Sequence, residues 1–336
     1  MCYSGNMKGY FALKTSRLLN GNVKTVKVGL IILVLPLFLF YGCSTNEKRA
    51  EEDIDYIAIA DSIEPIAEEA LESAEPESEP EFEPEPDNVP TEKTVTISAT
   101  GDCAIGRVQV HGYEGSFEAF YDSYGPDYFL ENVRDIFTSD DLSIVNLECV
   151  LSNETERVEK TFNIKGKPEY VSILTESGVE AASLGNNHSA DYGEQSLIDT
   201  ENTLDNAGVL YAINDKNAIW ESPEGIKVGM VSVSLLSGFE RRAEYLYNGI
   251  DSLRNECDLV VCLLHWGIER EYYPTDFQRE MAHNCIDRGA DLIIGNHPHV
   301  LQGTELYNGK MICYSLGNFC FGANRNPSDK DTMIFQ

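Results

Sequence analysis

"DLIIGNHPHVLQG", residues 291–303, places the apolar run Leu292, Ile293 and Ile294 directly ahead of His297 and His299, which flank Pro298. A short apolar run closed by glycine and polar residues reads as a buried strand with chemistry at its carboxyl end. The chain has only six histidines in 336 residues, so two of them at one strand end form a notable concentration. On an extended segment, residues two apart point to the same side of the backbone. Taken alone, the pair is open to two readings: half of a metal site, or two hydrogen-bonded loop histidines.

The same arrangement recurs along the chain. "TVTISATGDCAIGR" (94–107) runs from an alternating strand into Asp102, "LSIVNLE" (142–148) ends in Glu148, "VEAASLGNNH" (179–188) ends in Asn187 and His188, and "LVVCLLHWG" (259–267) carries His265. Helical stretches separate them. Pro168 opens and Gly178 closes one, Gly208 follows "EQSLIDTENTLDNA" (194–207), and Thr275 with Gln278 forms a capping box for a helix ending near Gly289. Strands alternating with helices predict a largely parallel α/β sheet, whose ligands bind at the carboxyl ends of the strands. Every polar motif just quoted falls at such an end.

Singly, each residue has an ordinary explanation. Asp102 is a turn former, Glu148 a cap, Asn186 and Asn187 a bend, and His265 a satisfied core histidine beside Trp266. Jointly they supply two carboxylates, an asparagine and four histidines on successive strand ends, the donor set of a site for a hard or borderline divalent ion. Three residues after His188, Asp191 either orients that imidazole or caps a turn. Glu269 and Glu271 read as metal ligands, a general base or a solvated loop, the last being favoured, and Ser315 and Asn318 as shaping a loop beside the site, with Asn318 also a candidate substrate contact. Arg107, Lys165 and Lys167 stand near motifs and either grip a substrate carboxylate or phosphate or face water. His111 and His283 read as structural.

Charge and composition bound the remainder. Five basic residues and no acidic one precede "VGLIILVLPLFLFYGC" (28–43), a positive n-region followed by an apolar run of signal length. Residues 1–43 are either a lipoprotein signal with Cys43 as the acylated residue or an uncleaved signal anchor. Both readings place the rest of the protein outside the cytoplasm, anchored at the cell membrane. Residues 44–93, with "AEPESEPEFEPEPDNVP" (74–90), are too acidic and proline-rich to fold and act as a disordered linker. Of the net charge of −31, about −21 stays on residues 94–336 once the five leader bases and the linker's eighteen acids and three bases are removed. So acidic a domain argues against a nucleic-acid partner and requires local cations for any anionic substrate. Its seven cysteines lack framework spacing, and no disulfide scaffold is expected. The closing "DTMIFQ" (331–336) reads as an unfinished strand, as if a C-terminal piece were missing.

"GDCAIGR", "NLECVLS", "SLGNNHSADYG", "LLHWGIEREYYP", "GNHPHVLQG" and "YSLGNFCFG" resemble, in order and spacing, the CapA family of bacterial capsule-synthesis proteins, associated with poly-γ-glutamate. That family is similar in turn to the calcineurin-like metallophosphatases. The resemblance covers roughly residues 94–336 and implies a two-sheet sandwich flanked by helices (α-β-β-α). It implies that Asp102, Glu148, Asn187, His265, His297 and His299 hold one or two divalent ions (manganese, zinc or iron), with His188 as general acid or transition-state stabiliser. Ala104 departs from the superfamily pattern, which has a histidine there, so a second metal position is short of a ligand. The expected function is synthesis, export or anchoring of an anionic capsular polymer beside membrane synthase and export components, with a metal-dependent hydrolase activity open. The alternatives are a non-catalytic polymer-binding or synthase-docking subunit and a generic secreted phosphodiesterase.

Overall fold

The computed structural model describes residues 12–19, 22–29, 93–108 and 112–336. Apart from the backbone of an antiparallel hairpin, β1 (Ala12–Leu19) and β2 (Asn22–Gly29), the expected signal or anchor with Cys43, the acidic linker and His111 lie outside the described residues. Among the described residues no helix is long and apolar enough to cross a membrane.

The first half of the domain contributes β3 (Ile97–Ala104), β4 (Arg107–Val108), β5 (Leu142–Leu147), β6 (Val150–Leu151), β7 (Ile164–Gly166), β8 (Ala181–Ser183) and β9 (Leu210–Ala212). The second half contributes β10 (Ala218–Glu221), β11 (Lys227–Ser234), β12 (Leu259–His265), β13 (Leu292–Asn296), β14 (Thr304–Tyr307), β15 (Lys310–Cys313) and β16 (Asn318–Phe321). They assemble into a parallel sheet in the order β16-β3-β5-β8-β9, a mixed sheet in the order β10-β11-β12-β13-β15-β14, and a small sheet β4-β7-β6. In the mixed sheet the four central strands are parallel and only the edges run antiparallel.

The sequence of β12 explains the layering. Leu259, Val261 and Leu263 belong to the apolar cluster that joins the two large sheets, with Ile97, Ile144, Val228 and Ile294. Val260, Cys262 and Leu264 alternate with them and pack into the cluster beneath the helices Phe239–Leu253 and Asp276–Arg288. A strand apolar on both faces must be covered on both faces, and period-two alternation assigns each residue to its layer. The other face of the parallel sheet, with Val145 and Leu147, packs against residues of the helices Phe117–Tyr124 and Glu194–Ala207. Two sheets in the middle and helices outside give a four-layer mixed α/β fold.

The local signals hold at the long helices. Gly208 ends the Glu194–Ala207 helix in the left-handed conformation, and both arms of the Thr275/Gln278 capping box are formed. The helix expected from Pro168 to Gly178 is instead a 3₁₀ turn, Pro168–Val171, followed by one α-helical turn, Ser172–Thr175. Tyr170, Ile173 and Leu174 are all buried within those few residues, so the segment is anchored by packing and does not lengthen. The C-terminal segment pairs through isolated bridges, Ala99 with Phe335 and Gly317 with Thr332, and adds no continuous strand. All seven cysteines of the domain are buried.

Gly295, at the start of the histidine segment, marks the tightest approach on the β13 side. A Cβ there would lie 2.1 Å from the Tyr314 carbonyl oxygen and 2.5 Å from the Trp266 Nε1. Because backbone atoms cannot retreat as a side chain can, Gly295→Ala is expected to destabilise the domain by about 1–3 kcal/mol. The urea midpoint, measured with an unchanged m-value, reads this directly.

Candidate metal centre

The polar ends of the strands converge on one rim. Asp102 comes from β3, Glu148 follows β5, Asn186 to His188 follow β8 and Asn318 opens β16, all on the parallel sheet. His265 ends β12 and His297 follows β13 on the mixed sheet. Asp102 is fully buried. Its Oδ1 accepts from Asn146 Nδ2 at 2.7 Å, and its Oδ2 accepts from His299 Nδ1 at 2.9 Å and from the His297 backbone N–H at 3.4 Å.

His297 and His299 are not on an extended segment. Both have positive φ, 99° and 56°, conformations that non-glycine residues hold only where the surroundings enforce them. The enforcing contacts are the two bonds to Asp102 and a third from Asn318, whose Oδ1 lies 2.9 Å from His299 Nδ1. The imidazoles therefore share a site because a turn is pinned, not because alternate residues of a strand share a face. With Nδ1 donating to Asp102 and Asn318, His299 turns Nε2 towards Glu148, 4.0 Å away.

Glu148 is the central anomaly. It is wholly buried, and no hydrogen-bond donor reaches either carboxylate oxygen. Around Oε1 stand the Nε2 atoms of His265 at 3.6 Å, His188 at 3.8 Å and His299 at 4.0 Å. Burial, and then the nearby Asp102 charge, push this carboxyl well above the usual carboxylate range. Burial and neighbouring imidazoles hold His265 well below its ordinary value and His297 down to about 4, so both rings stay neutral. For His299, burial is outweighed by Glu148 and Asp102, which push it up to about 10. Burial opposes ionisation of Asp102 too, but the His299 hydrogen bond holds it down to about 2.

A carboxylate without a donor, neutral histidines and an unpartnered buried His297 Nδ1 are what a cation site presents when its charge must come from an ion. Three sets of donor atoms lie within 4.8 Å of one another: Glu148, His265 and His297; Asp102, Glu148 and His299; and Glu269, His297 and His299. Asn187 joins them through Oδ1, 2.7 Å from His265 Nε2. The oxygen and imidazole donors fit a divalent metal of the hard or borderline class. Ala104 is buried in an apolar cluster and supplies no donor.

His188 stands at the edge of this cluster. Its Nδ1 lies 2.7 Å from Asp191 Oδ2, and Asp191 is itself fixed by the Ile164 N–H at 2.5 Å and by an ion pair with Lys160. Two contributors, Asn146 and Lys160, are not marked by the sequence reading, and for Glu269 the structure favours the ligand alternative over the solvated one. Asn146, whose amide spans Asp102 and His265 and which accepts from Asn186, sits two residues before Glu148 in a mostly apolar strand, a legible signal for a shared face. Glu269 is exposed as expected for a solvated loop, yet it offers an oxygen to the cluster; Glu271 is not in it. Lys160 also donates to the Asn187 carbonyl at 2.8 Å; it lies in an irregular loop with no period to read. Arg107, Lys165 and Lys167 lie apart from the cluster, around a separate cavity. His283 pairs with Glu305 and stacks on Tyr307, a structural role.

A mixed α/β protein with a buried carboxylate-and-histidine cluster at its strand ends is the class that fold and site define. More particularly, residues 96–323 match the family described as bacterial capsule synthesis protein PGA_cap, and the chain belongs to that family. Among curated relatives, it is 29% identical over 252 residues to the PGA biosynthesis protein CapA of Bacillus subtilis, covering 69% of this chain and 64% of that protein. It is likewise 29% identical over 268 residues to the capsule biosynthesis protein CapA of Bacillus anthracis, covering 72% and 63%. A probable polyglutamine synthesis accessory protein of Mycobacterium tuberculosis is 23% identical over 211 residues, 54% of this chain and 56% of that protein. The matched region thus spans somewhat under two thirds of the Bacillus relatives.

Glu148→Gln keeps the shape of the side chain but removes the charge that an ion would balance. The variant is expected to fold at least as stably as the metal-stripped parent and to lose the thermal stabilisation that a divalent ion gives. That stabilisation is about 2.7 kcal/mol when free metal is a hundredfold above its Kd. Thermal unfolding with and without manganese or zinc measures both.

Proposed function

We propose that the protein acts outside the cytoplasm, anchored to the cell membrane, in the synthesis, export or anchoring of capsular poly-γ-glutamate, and that its strand-end cluster is a metal-dependent hydrolytic site of the metallophosphatase type. The observation that carries the catalytic part is Glu148, a buried carboxylate with no donor and three imidazole nitrogens within 4.0 Å. The names of the Bacillus relatives support the polymer. The signal-like leader and acidic linker support the location, and the association with membrane synthase or export components follows from that placement.

Asp102, Glu148, Asn187, His265, His297 and His299 would hold the metal, with Glu269 at the rim. A bound divalent ion supplies Lewis acidity and a water acidic enough to attack at neutral pH. The chain's own residues do the remainder. Asp191 accepts from His188 Nδ1 and fixes the ring, so that Nε2 faces the site and can give a proton to the leaving nitrogen or oxygen. Lys160 neutralises Asp191 and ties it to the Asn187 loop. Asn146 and Asn318 hold Asp102, His265 and His299 in place through their amides.

Ala104 favours a second reading, in which the same cluster holds one structural ion and the protein binds polymer or docks on a synthase without cleaving it. Metal content bears on the cluster itself. With no donor at residue 104, the stoichiometry by elemental analysis is expected nearer one ion per chain than two.

Hydrolysis of γ-glutamyl chains and of phosphodiesters, assayed beside His188→Ala, separates the readings. The hydrolase reading expects kcat to fall about a hundredfold or more in the variant, with metal content unchanged. Metal-loaded protein inactive on both substrates would leave the binding-subunit reading.

A further inference from the structure

Away from the metal centre, β4, β7 and the 3₁₀ turn at Pro168–Val171 enclose a cavity of about 230 Å³, lined by Arg107, Glu118, Ser152, Lys165, Lys167 and Tyr170 among others. Three cations against one carboxylate is an unusual lining in a domain carrying about −21. Lys167 also pairs with Asp122 at 3.9 Å, so the cations of the lining that have most to offer an anion are Lys165 and Arg107.

The arrangement already accommodates one carboxylate. Glu118 accepts from Arg107 Nε through Oε2 at 2.9 Å and pairs with Lys167 Nζ through Oε1 at 3.2 Å, so one carboxylate bridges two cations. Arg107 lies directly across from Lys165 in the β4/β7 register. Lys165 donates to the Glu154 carbonyl and lies 4.6 Å from the centre of the Tyr192 ring, with no carboxylate in ion-pairing range among the described residues. The Tyr170 hydroxyl, on a side chain only 2% exposed, has no hydrogen-bond partner. A buried phenol without a partner loses the free energy of its hydration unless something else supplies a bond.

We propose that this cavity is a carboxylate subsite for an acidic polypeptide, receiving the free α-carboxylates of a γ-linked polyglutamyl chain on Lys165 and Tyr170 beside the internal Glu118 carboxylate. The identity of the polymer rests on the function proposed above. Lys165 and Lys167 lie two apart along the chain, with Arg107 across from Lys165. Cations placed in that way suit successive carboxylates on a chain better than one compact oxyanion. The cavity is also linked, by two contacts, to the segment that holds His188. The residue before Lys165 is Ile164, whose N–H holds Asp191, and the ring under Lys165 belongs to the residue after Asp191.

The test is calorimetric titration of the full chain with a short γ-linked glutamate oligomer, with free glutamate and inorganic phosphate as separate probes, each with and without chelator. The expected result is oligomer binding weakened about tenfold or more in Lys165→Met/Lys167→Met, with the thermal midpoint and metal content of the parent. Glu118→Gln is expected to tighten binding, because the internal competitor is gone; a merely structural ion pair would not produce that gain. Oligomer affinity unchanged in the lysine variant would overturn the proposal, as would free glutamate or phosphate binding as tightly as the oligomer. The lysine-dependent difference is expected to survive chelation. If it survives while no hydrolysis is found, the catalytic reading of the metal centre fails and the subsite stands.

Discussion

The carboxylate of Asp102 joins the two large sheets at the point where their chemistry is placed. One oxygen is held from within its own sheet, by Asn146 of β5, and the other by the His297–His299 turn that follows β13 of the opposite sheet. A buried charge is tolerated only when it is fully solvated by protein groups. Asp102 meets that demand through residues some 195 positions away. The sandwich and the site are thus conditions of each other. The turn keeps its strained φ values because Asp102 and Asn318 hold it, and Asp102 stays ionised because the turn reaches it.

Glu148 sets the opposite condition in the same space. Asp102 has donors on both oxygens and Glu148 has none, though the two carboxylates share a cluster. Environments that push neighbouring titratable groups apart are a mark of functional sites. Here the asymmetry sorts the residues into those that organise the site and those that wait for an ion. Asp102, Asn146 and Asn318 spend their hydrogen bonds on neighbours. Glu148 and His297 leave polar atoms without partners.

Much of this was legible in the sequence because strands carry their chemistry at fixed ends. The unbroken apolar run of residues 259–264 dictates a strand covered on both faces, and the polar residues that follow such strands met at one rim. What escaped notice has physical causes. The His297 and His299 geometry depends on long-range hydrogen bonds, which no local periodicity encodes, so an extended segment was expected where a strained turn exists. Lys160 acts from a loop with no regular structure. Glu269 reads from sequence as either solvated or a ligand, and only the tertiary arrangement brings its exposed carboxylate to the cluster. The Pro168 segment carried good helix-start chemistry, but burial of Tyr170, Ile173 and Leu174 decided its length.

The seven buried thiols carry a different consequence. They are spread over β3, β12, β15, β16 and the segments between, each shielded from solvent by the layers around it. Burial pushes Cys149 and Cys313 far above the ordinary thiol range and Cys257 up to about 11, so none of these three forms a reactive thiolate while the layers stay closed. Unfolding removes that shield from all of them together. In an oxidising compartment the opened chain can then cross-link at random faster than it refolds. Under oxidising conditions, persistence would depend on how rarely the chain opens, a rate and not an equilibrium.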